Sequence, residues 1–77
     1  MQQNNWLIKC SHTPESLDRI MMAFRKRGLT VESVFYQKVD EKNASCKLVF
    51  MEDDIQAGRI YKNLIRLVDI YEIENLK

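Results

Sequence analysis

Proline, glycine and cysteine are scarce in this chain of 77 residues, which has one proline, two glycines and two cysteines. With 45% hydrophobic residues beside so little proline and glycine, the composition excludes a low-complexity chain and favours one globular domain over residues 1–77. Long apolar runs are also absent, so the sequence predicts no transmembrane helix and no signal peptide. A net charge of +1 gives no reason to expect nucleic acid or a membrane as partner.

The residue types that carry chemistry are isolated from one another. Cys10 and Cys46 form no Cys-x-x-Cys motif, so we expect reduced core residues of a cytoplasmic protein, with a disulfide as the alternative. His12, the one histidine, has neither metal ligands nor a nucleophile at a recognised spacing and is expected on an exposed loop. Asp53 and Asp54 lack further oxygen ligands. The sequence therefore predicts no metal site, no cofactor and no catalytic residue.

Hydrophobic periodicity predicts six elements in the order βαββαβ. The predicted strands are Trp6–Ser11, Leu29–Val39, Ser45–Met51 and Val68–Leu76. One helix runs from Pro14 to about Arg27, and a second opens at Glu52 and has its last apolar position at Val68. This order predicts an α+β, ferredoxin-like domain, in which both helices pack on one face of a four-stranded antiparallel sheet.

Local signals mark the helix ends. Thr13 is the expected N-cap of the first helix, with Pro14 in the first helical position. Gly28 is expected to end that helix in the left-handed conformation, with Leu29 folding back. Gly58 lies inside the second helix, where it is predicted to mark close packing against the sheet.

The sheet face turned away from the helices is predicted to be mixed in character. Strand alternation places on it Leu7, Val34, Tyr36, Val49 and Met51, together with Lys9, Glu32, Lys38 and Lys47. So many apolar side chains favour partial burial by a partner or a second copy. Tyr36 and Val49 are therefore candidate partner contacts. Arg25 and Lys26, at the end of the first helix, are also candidate partner contacts. Their alternative role is to complement the helix dipole.

Two segments carry a family resemblance. Residues 17–20 read Leu-Asp-Arg-Ile, residues 27–33 read Arg-Gly-Leu-Thr-Val-Glu-Ser, and residues 64–73 read Leu-Ile-Arg-Leu-Val-Asp-Ile-Tyr-Glu-Ile. They resemble the motifs Leu-x-Arg-Val, Arg-Gly-aromatic-Asn-Ile-Glu-Ser and Leu-x-Lys-Leu-Val-Asp-Val-x-x-Val of the small regulatory subunits of acetolactate (acetohydroxyacid) synthase. The resemblance implies an ACT domain and is closest to the short members, which consist of one such domain.

The function implied by this resemblance is regulatory rather than catalytic. Such a subunit binds and activates the catalytic large subunit in branched-chain amino-acid biosynthesis, pairs as a homodimer, and leaves thiamine diphosphate to its partner. The alternative is a free-standing ACT amino-acid sensor that acts on another enzyme. An RNA-binding domain of the same element order needs stacking aromatics in a Lys/Arg-Gly-Phe-x-Phe pattern, and an acylphosphatase needs a glycine-containing phosphate loop; this chain has neither.

In valine-sensitive relatives, the resemblance places the effector between the loop after the first strand and the start of the second. His12 and Glu15 stand where those relatives have Asn and Gly, Thr13 lies between them, and Thr30 replaces a second Asn. Pro14 removes a backbone donor, and Glu15 adds negative charge where a ligand carboxylate would bind. We expect weak or absent sensitivity to valine, with a weakly bound amino acid as the alternative.

Overall fold

Six elements follow one another in the predicted order, in a computed structural model that describes residues 2–76. The strands are β1 (Gln2–Ser11), β2 (Val31–Lys38), β3 (Asn43–Glu52) and β4 (Ile70–Asn75), and the helices are α1 (Ser16–Arg25) and α2 (Asp54–Ile65). β1 begins at Gln2 rather than Trp6 because its polar first residues pair with the end of β3, where Gln2 lies opposite Glu52. Backbone pairing thus extends the strand beyond its apolar alternation.

Every pair of neighbouring strands is antiparallel, and the order across the sheet is β2-β3-β1-β4. The central strands send alternate side chains into one core, which also receives the buried faces of α1 and α2. Within that core Phe50 packs edge to face against both Trp6 and Phe24, with ring centroids 4.9 and 5.0 Å apart. The predicted ferredoxin-like fold is confirmed.

Backbone geometry at the end of α1 confirms the predictions for Gly28 and Leu29. Gly28 has φ +69°, its N–H donates to the Arg25 carbonyl (3.0 Å), and the Leu29 N–H donates to the Phe24 carbonyl (3.1 Å). These two bonds form the Schellman motif. Asp53 caps α2 by accepting a hydrogen bond from the Gln56 N–H at 2.8 Å. Neither α1 nor α2 is long and apolar enough to cross a bilayer.

Two predictions about the second helix are wrong. α2 ends at Ile65, and Val68 lies in the following turn with 87% of its surface exposed. Short-range backbone bonds cause this, since Leu67 donates to Leu64 and Ile70 donates to Leu67, which turns the chain into β4. Gly58 does not mark close packing, because a Cβ there would meet no atom within 4 Å.

The side chains of β2 from Val34 onward lie on the opposite face of the sheet from the one predicted. Val34, Tyr36 and Lys38 lie on the helix side of the sheet; their partners on β3 are Leu48, Cys46 and Ala44, which are buried in the core. A register shift between Val31 and Ser33 is the cause, because one extra residue reverses the alternation that follows it. Glu32 is that extra residue.

The outer face of the sheet is mixed, as expected, but its members differ from the prediction. Leu7, Lys9, Lys47, Val49 and Met51 lie on it, because their neighbours along β1 and β3 point into the core. The apolar side chain that β2 adds is Phe35, opposite Lys47 and 62% exposed. β4 adds two carboxylates, Glu72 and Glu74, opposite Lys9 and Leu7.

Candidate effector loop and interaction surfaces

His12 is held between two other segments rather than standing free in solvent. Its backbone N–H donates to the Lys42 carbonyl at 2.8 Å, and its Nδ1 lies 3.0 Å from the Tyr36 hydroxyl. The side chain is half-buried, so the predicted exposed position is wrong. Burial raises the pKa of Tyr36 above its ordinary value, so the phenol keeps its proton beside Nδ1 of His12.

Ser16 organises the loop from within. Its hydroxyl donates to the Ser11 carbonyl at 2.6 Å and accepts from the Thr13 N–H at 3.1 Å, and the Thr13 hydroxyl lies 2.8 Å away. Ser16 is fully buried, although the sequence analysis passed over it. The signal that could have found it is the Thr-x-x-Ser spacing, because such hydroxyls bond to nearby backbone groups before a helix.

The start of α1 differs from the predicted cap. Thr13 does not cap the helix with its side chain; its carbonyl accepts from the Ser16 N–H at 3.2 Å, and Glu15 takes the N-cap position. A turn through Pro14 therefore precedes the helix. The Glu15 side chain makes no capping hydrogen bond and is exposed, so its carboxylate acts on the helix end through charge alone.

Thr30 is far from the other candidate effector residues within one chain. It precedes Val31, which pairs with Phe50, whereas Tyr36 beside His12 pairs with Cys46 near the opposite end of the sheet. Thr30 instead lines a surface groove with Met21 and Arg25. The structure thus brings His12, Thr13 and Glu15 together in one loop, and leaves Thr30 at the other end of β2.

The partner-contact candidates lie on separate surfaces. Arg25 and Lys26 are exposed at the end of α1, where Lys26 lines the groove between the two helices. Tyr36 is half-buried on the helix side of β2, and Val49 is half-buried on the outer face of the sheet. No single docking patch of the described residues contains all of these residues.

Titratable groups in the described part of the chain form no reactive cluster. Cys10 and Cys46 are buried free thiols, and burial raises the pKa of Cys10 above its ordinary value and that of Cys46 to about 12. Asp69 accepts from the Ser11 hydroxyl at 3.2 Å and pairs with Arg19. Residues 2–76 contain no group of three or more His, Cys, Asp or Glu side chains placed to hold a metal ion.

No family model and no curated protein matches the chain. Solved structures do match. The acetolactate synthase small subunit of Thermotoga maritima is similar over 100% of this chain and 48% of its own, with a TM-score of 0.86 and 14% identity. The ACT domain of the GTP pyrophosphokinase of Chlorobium tepidum is similar over 96% of each chain, with a TM-score of 0.80 and 13% identity. The chain has an ACT fold. It spans about half the length of the Thermotoga subunit. The uncharacterized protein TM1266 of Thermotoga maritima is also similar, over 99% of this chain and 98% of its own, with a TM-score of 0.76 and 14% identity.

Proposed function

We propose that this chain is a regulatory small subunit that binds and activates the catalytic subunit of acetolactate synthase. The observation that carries the proposal is the TM-score of 0.86 to an acetolactate synthase small subunit over the full chain. The motif resemblances at residues 17–33 and 64–73 support it, since they lie in the two βαβ halves of the same fold.

Activation in this proposal comes from docking. A subunit without reacting groups can raise the activity of an enzyme only by binding its competent conformation more tightly than the alternatives. Thiamine diphosphate and the reacting atoms belong to the catalytic subunit. Arg25 and Lys26 are the proposed contacts, because both are exposed at the end of α1 and neither forms an ion pair with another described residue.

The same proposal includes a homodimer formed through β2. β2 is an edge strand whose outer backbone edge is unpaired among the described residues, and most of its side chains are exposed. Antiparallel pairing of two β2 strands would bring Thr30 of one copy beside the Lys38 end of the other, where Tyr36 and His12 lie. The four effector-loop candidates would then meet at the interface.

Valine is expected to act weakly on this subunit. Ser16 already accepts the Thr13 N–H, Pro14 has no N–H, and Glu15 places negative charge where the carboxylate of an amino acid would bind. Calorimetry with valine, leucine and isoleucine tests this directly. Micromolar binding that is lost in Thr30→Ala would contradict it.

The decisive experiment is co-expression with a catalytic subunit of acetolactate synthase, followed by co-purification and an assay of acetolactate formation. We expect a complex that is more active than the catalytic subunit alone. Reversing the charges with Arg25→Glu and Lys26→Glu should weaken the complex, whereas Arg59→Glu with Lys62→Glu, an equally exposed pair on α2, should not. Failure to co-purify, or unchanged activity, would overturn the proposal.

A free-standing amino-acid sensor that acts on another enzyme is the second candidate. The mutual coverage of 96% with the ACT domain of GTP pyrophosphokinase favours it, because that match is one ACT domain from a different enzyme. Thermal stabilisation of the isolated chain by one amino acid, without binding to the acetolactate synthase catalytic subunit, would favour the sensor over the subunit.

A further inference from the structure

A cleft of about 290 Å³ lies between α2 and strands β1 and β4, and none of the effector-loop candidates lines it. Its lining residues are Gln2, Asn4, Trp6, Asp54, Ala57, Gly58, Tyr61, Ile73 and Asn75. The volume is just below the range of about 300–1,000 Å³ that is usual for small-molecule sites, so only a compact ligand fits. None of the functions considered above uses this cleft.

Asn4 is a buried polar residue on the core face of a central strand. Only 6% of its surface is exposed, and it lies opposite the core residue Phe50. Its Nδ2 donates to the Gln2 and Glu52 carbonyls, both at 3.2 Å, which uses both amide hydrogens. Its Oδ1 receives no hydrogen bond from any of residues 2–76, and Asn4 lines the cleft, where this oxygen is available as an acceptor.

Gln2 and Asp54 also keep oxygen atoms that accept no hydrogen bond from the described residues. Gln2 donates through its Nε2 to Oδ1 of Asp54, which leaves Oδ2 of that carboxylate and Oε1 of Gln2 free among the described residues. Asp54 is the only charged residue among the described residues that line the cleft. The open positions are therefore acceptors beside a negative charge, and they suit a ligand that donates hydrogen bonds and carries positive charge.

Aromatic rings and a glycine form the remaining walls. Trp6 is 4% exposed and meets Tyr61 edge-on, with ring centroids 6.2 Å apart. Such rings attract ammonium groups and cover alkyl chains. Gly58 has no packing reason to be glycine, because a Cβ would meet nothing within 4 Å, and it leaves the mouth of the cleft unobstructed.

From this arrangement we infer that the cleft binds a small primary alkylammonium compound. The ammonium group donates to the free oxygens of Asp54 and Asn4, and the alkyl chain lies against Trp6 and Tyr61. An amino acid binds less well, because none of the lining residues within 2–76 has a basic side chain to receive a carboxylate, and Asp54 repels it. The inference goes beyond the proposed regulatory function and does not depend on it.

The test compares three molecules that share the same branched alkyl skeleton: isopentylamine, its neutral isostere isopentanol, and leucine. Trp6 is the only tryptophan of the chain, so its fluorescence reports on the cleft without labelling. We expect saturable binding of isopentylamine with a Kd of about 1 mM or tighter. Isopentanol and leucine should each bind at least about tenfold more weakly. Equal binding of amine and alcohol, or no saturable response to the amine, would overturn the inference.

Two substitutions locate the site. Asp54→Asn should weaken amine binding by about tenfold, because it removes a charge-assisted hydrogen bond. Asp53→Asn is the matched control, since it removes the same charge one residue away, keeps a good N-cap and does not line the cleft. Gly58→Leu should abolish binding by filling the mouth while circular dichroism stays unchanged. Equal effects of the two Asp substitutions, or full binding by folded Gly58→Leu, would contradict the assignment.

Discussion

The two glycines of the chain occupy opposite backbone environments, and substitution by alanine should therefore change stability with opposite sign. Gly28 has φ +69°, so Gly28→Ala should cost about 1–2 kcal/mol. Gly58 is inside α2 with open space around it, so Gly58→Ala should stabilise by about 0.5–1 kcal/mol. Urea unfolding followed by Trp6 fluorescence measures both, and effects of equal sign would show that one of the two environments is wrongly described.

Cys10 and Cys46 should be protected from thiol reagents in the folded protein. Burial is the main cause that raises the pKa of Cys46 from 9.0 to about 12, with the nearby Cys10 second. Above pH 9.0 the unfolded chain loses this thiol proton and the folded chain keeps it, so stability falls as pH rises from 9.0 towards 12. Urea midpoints should drop between about pH 8 and about pH 10.5, less steeply in Cys46→Ala. Rapid labelling of native protein near neutral pH would contradict this.

Asn4 shows what could not be predicted from single residues. The polar run at the start of the chain indicates no strand, because its alternation carries no apolar signal. Only the pairing of Asn4 opposite Phe50 identifies it as a core-face residue. His12 is a similar case, since its Tyr36 partner is 24 positions away in sequence.

At the scale of elements, the start of α1 depends on one buried hydroxyl. Ser16→Ala should cost about 1–3 kcal/mol, because the Ser11 carbonyl and the Thr13 N–H would lose their partner. Ser33→Ala, at an exposed position of β2, is the matched control and should change stability by less than about 0.5 kcal/mol. Thermal unfolding measures both. Similar values for the two variants would mean that the loop does not need the Ser16 hydroxyl.

β2 shows where prediction from sequence ends for an element. Its β-branched and aromatic residues identify a strand correctly, and Val31 lies on the core side. The side on which the later residues lie depends on a bulge at Glu32, and one bulge residue exchanges the faces of Val34, Phe35 and Tyr36. No signal in the composition marks that bulge, so the strand could be predicted and its faces could not.

For the whole molecule, the element order alone restricts the fold to few alternatives, and this is why the ferredoxin-like arrangement could be predicted. The arrangement of the candidate effector residues could not, because Thr30 precedes one end of β2 and the loop of His12 contacts the other end. The resemblance predicts that Thr30 and His12 belong to one effector site, yet they lie far apart within one chain. In the proposed dimer, a second copy of the chain completes the site. The oligomeric state therefore decides whether Thr30 and His12 can act on one ligand.

We expect the chain to be a dimer at high micromolar concentration, paired through β2. Phe35 lies near the middle of that strand on the outer face, so antiparallel pairing would place it close to its own counterpart. Phe35→Glu would set two carboxylates against each other and should weaken dimerisation by about tenfold or more. Val68→Glu introduces the same charge at an exposed position in the turn before β4, the opposite edge strand of the sheet, and should leave the dimer intact. Light scattering of folded variants decides the matter: a monomeric parent chain, or equal behaviour of the two variants, would exclude pairing through β2 and leave Thr30 without a route to the His12 loop.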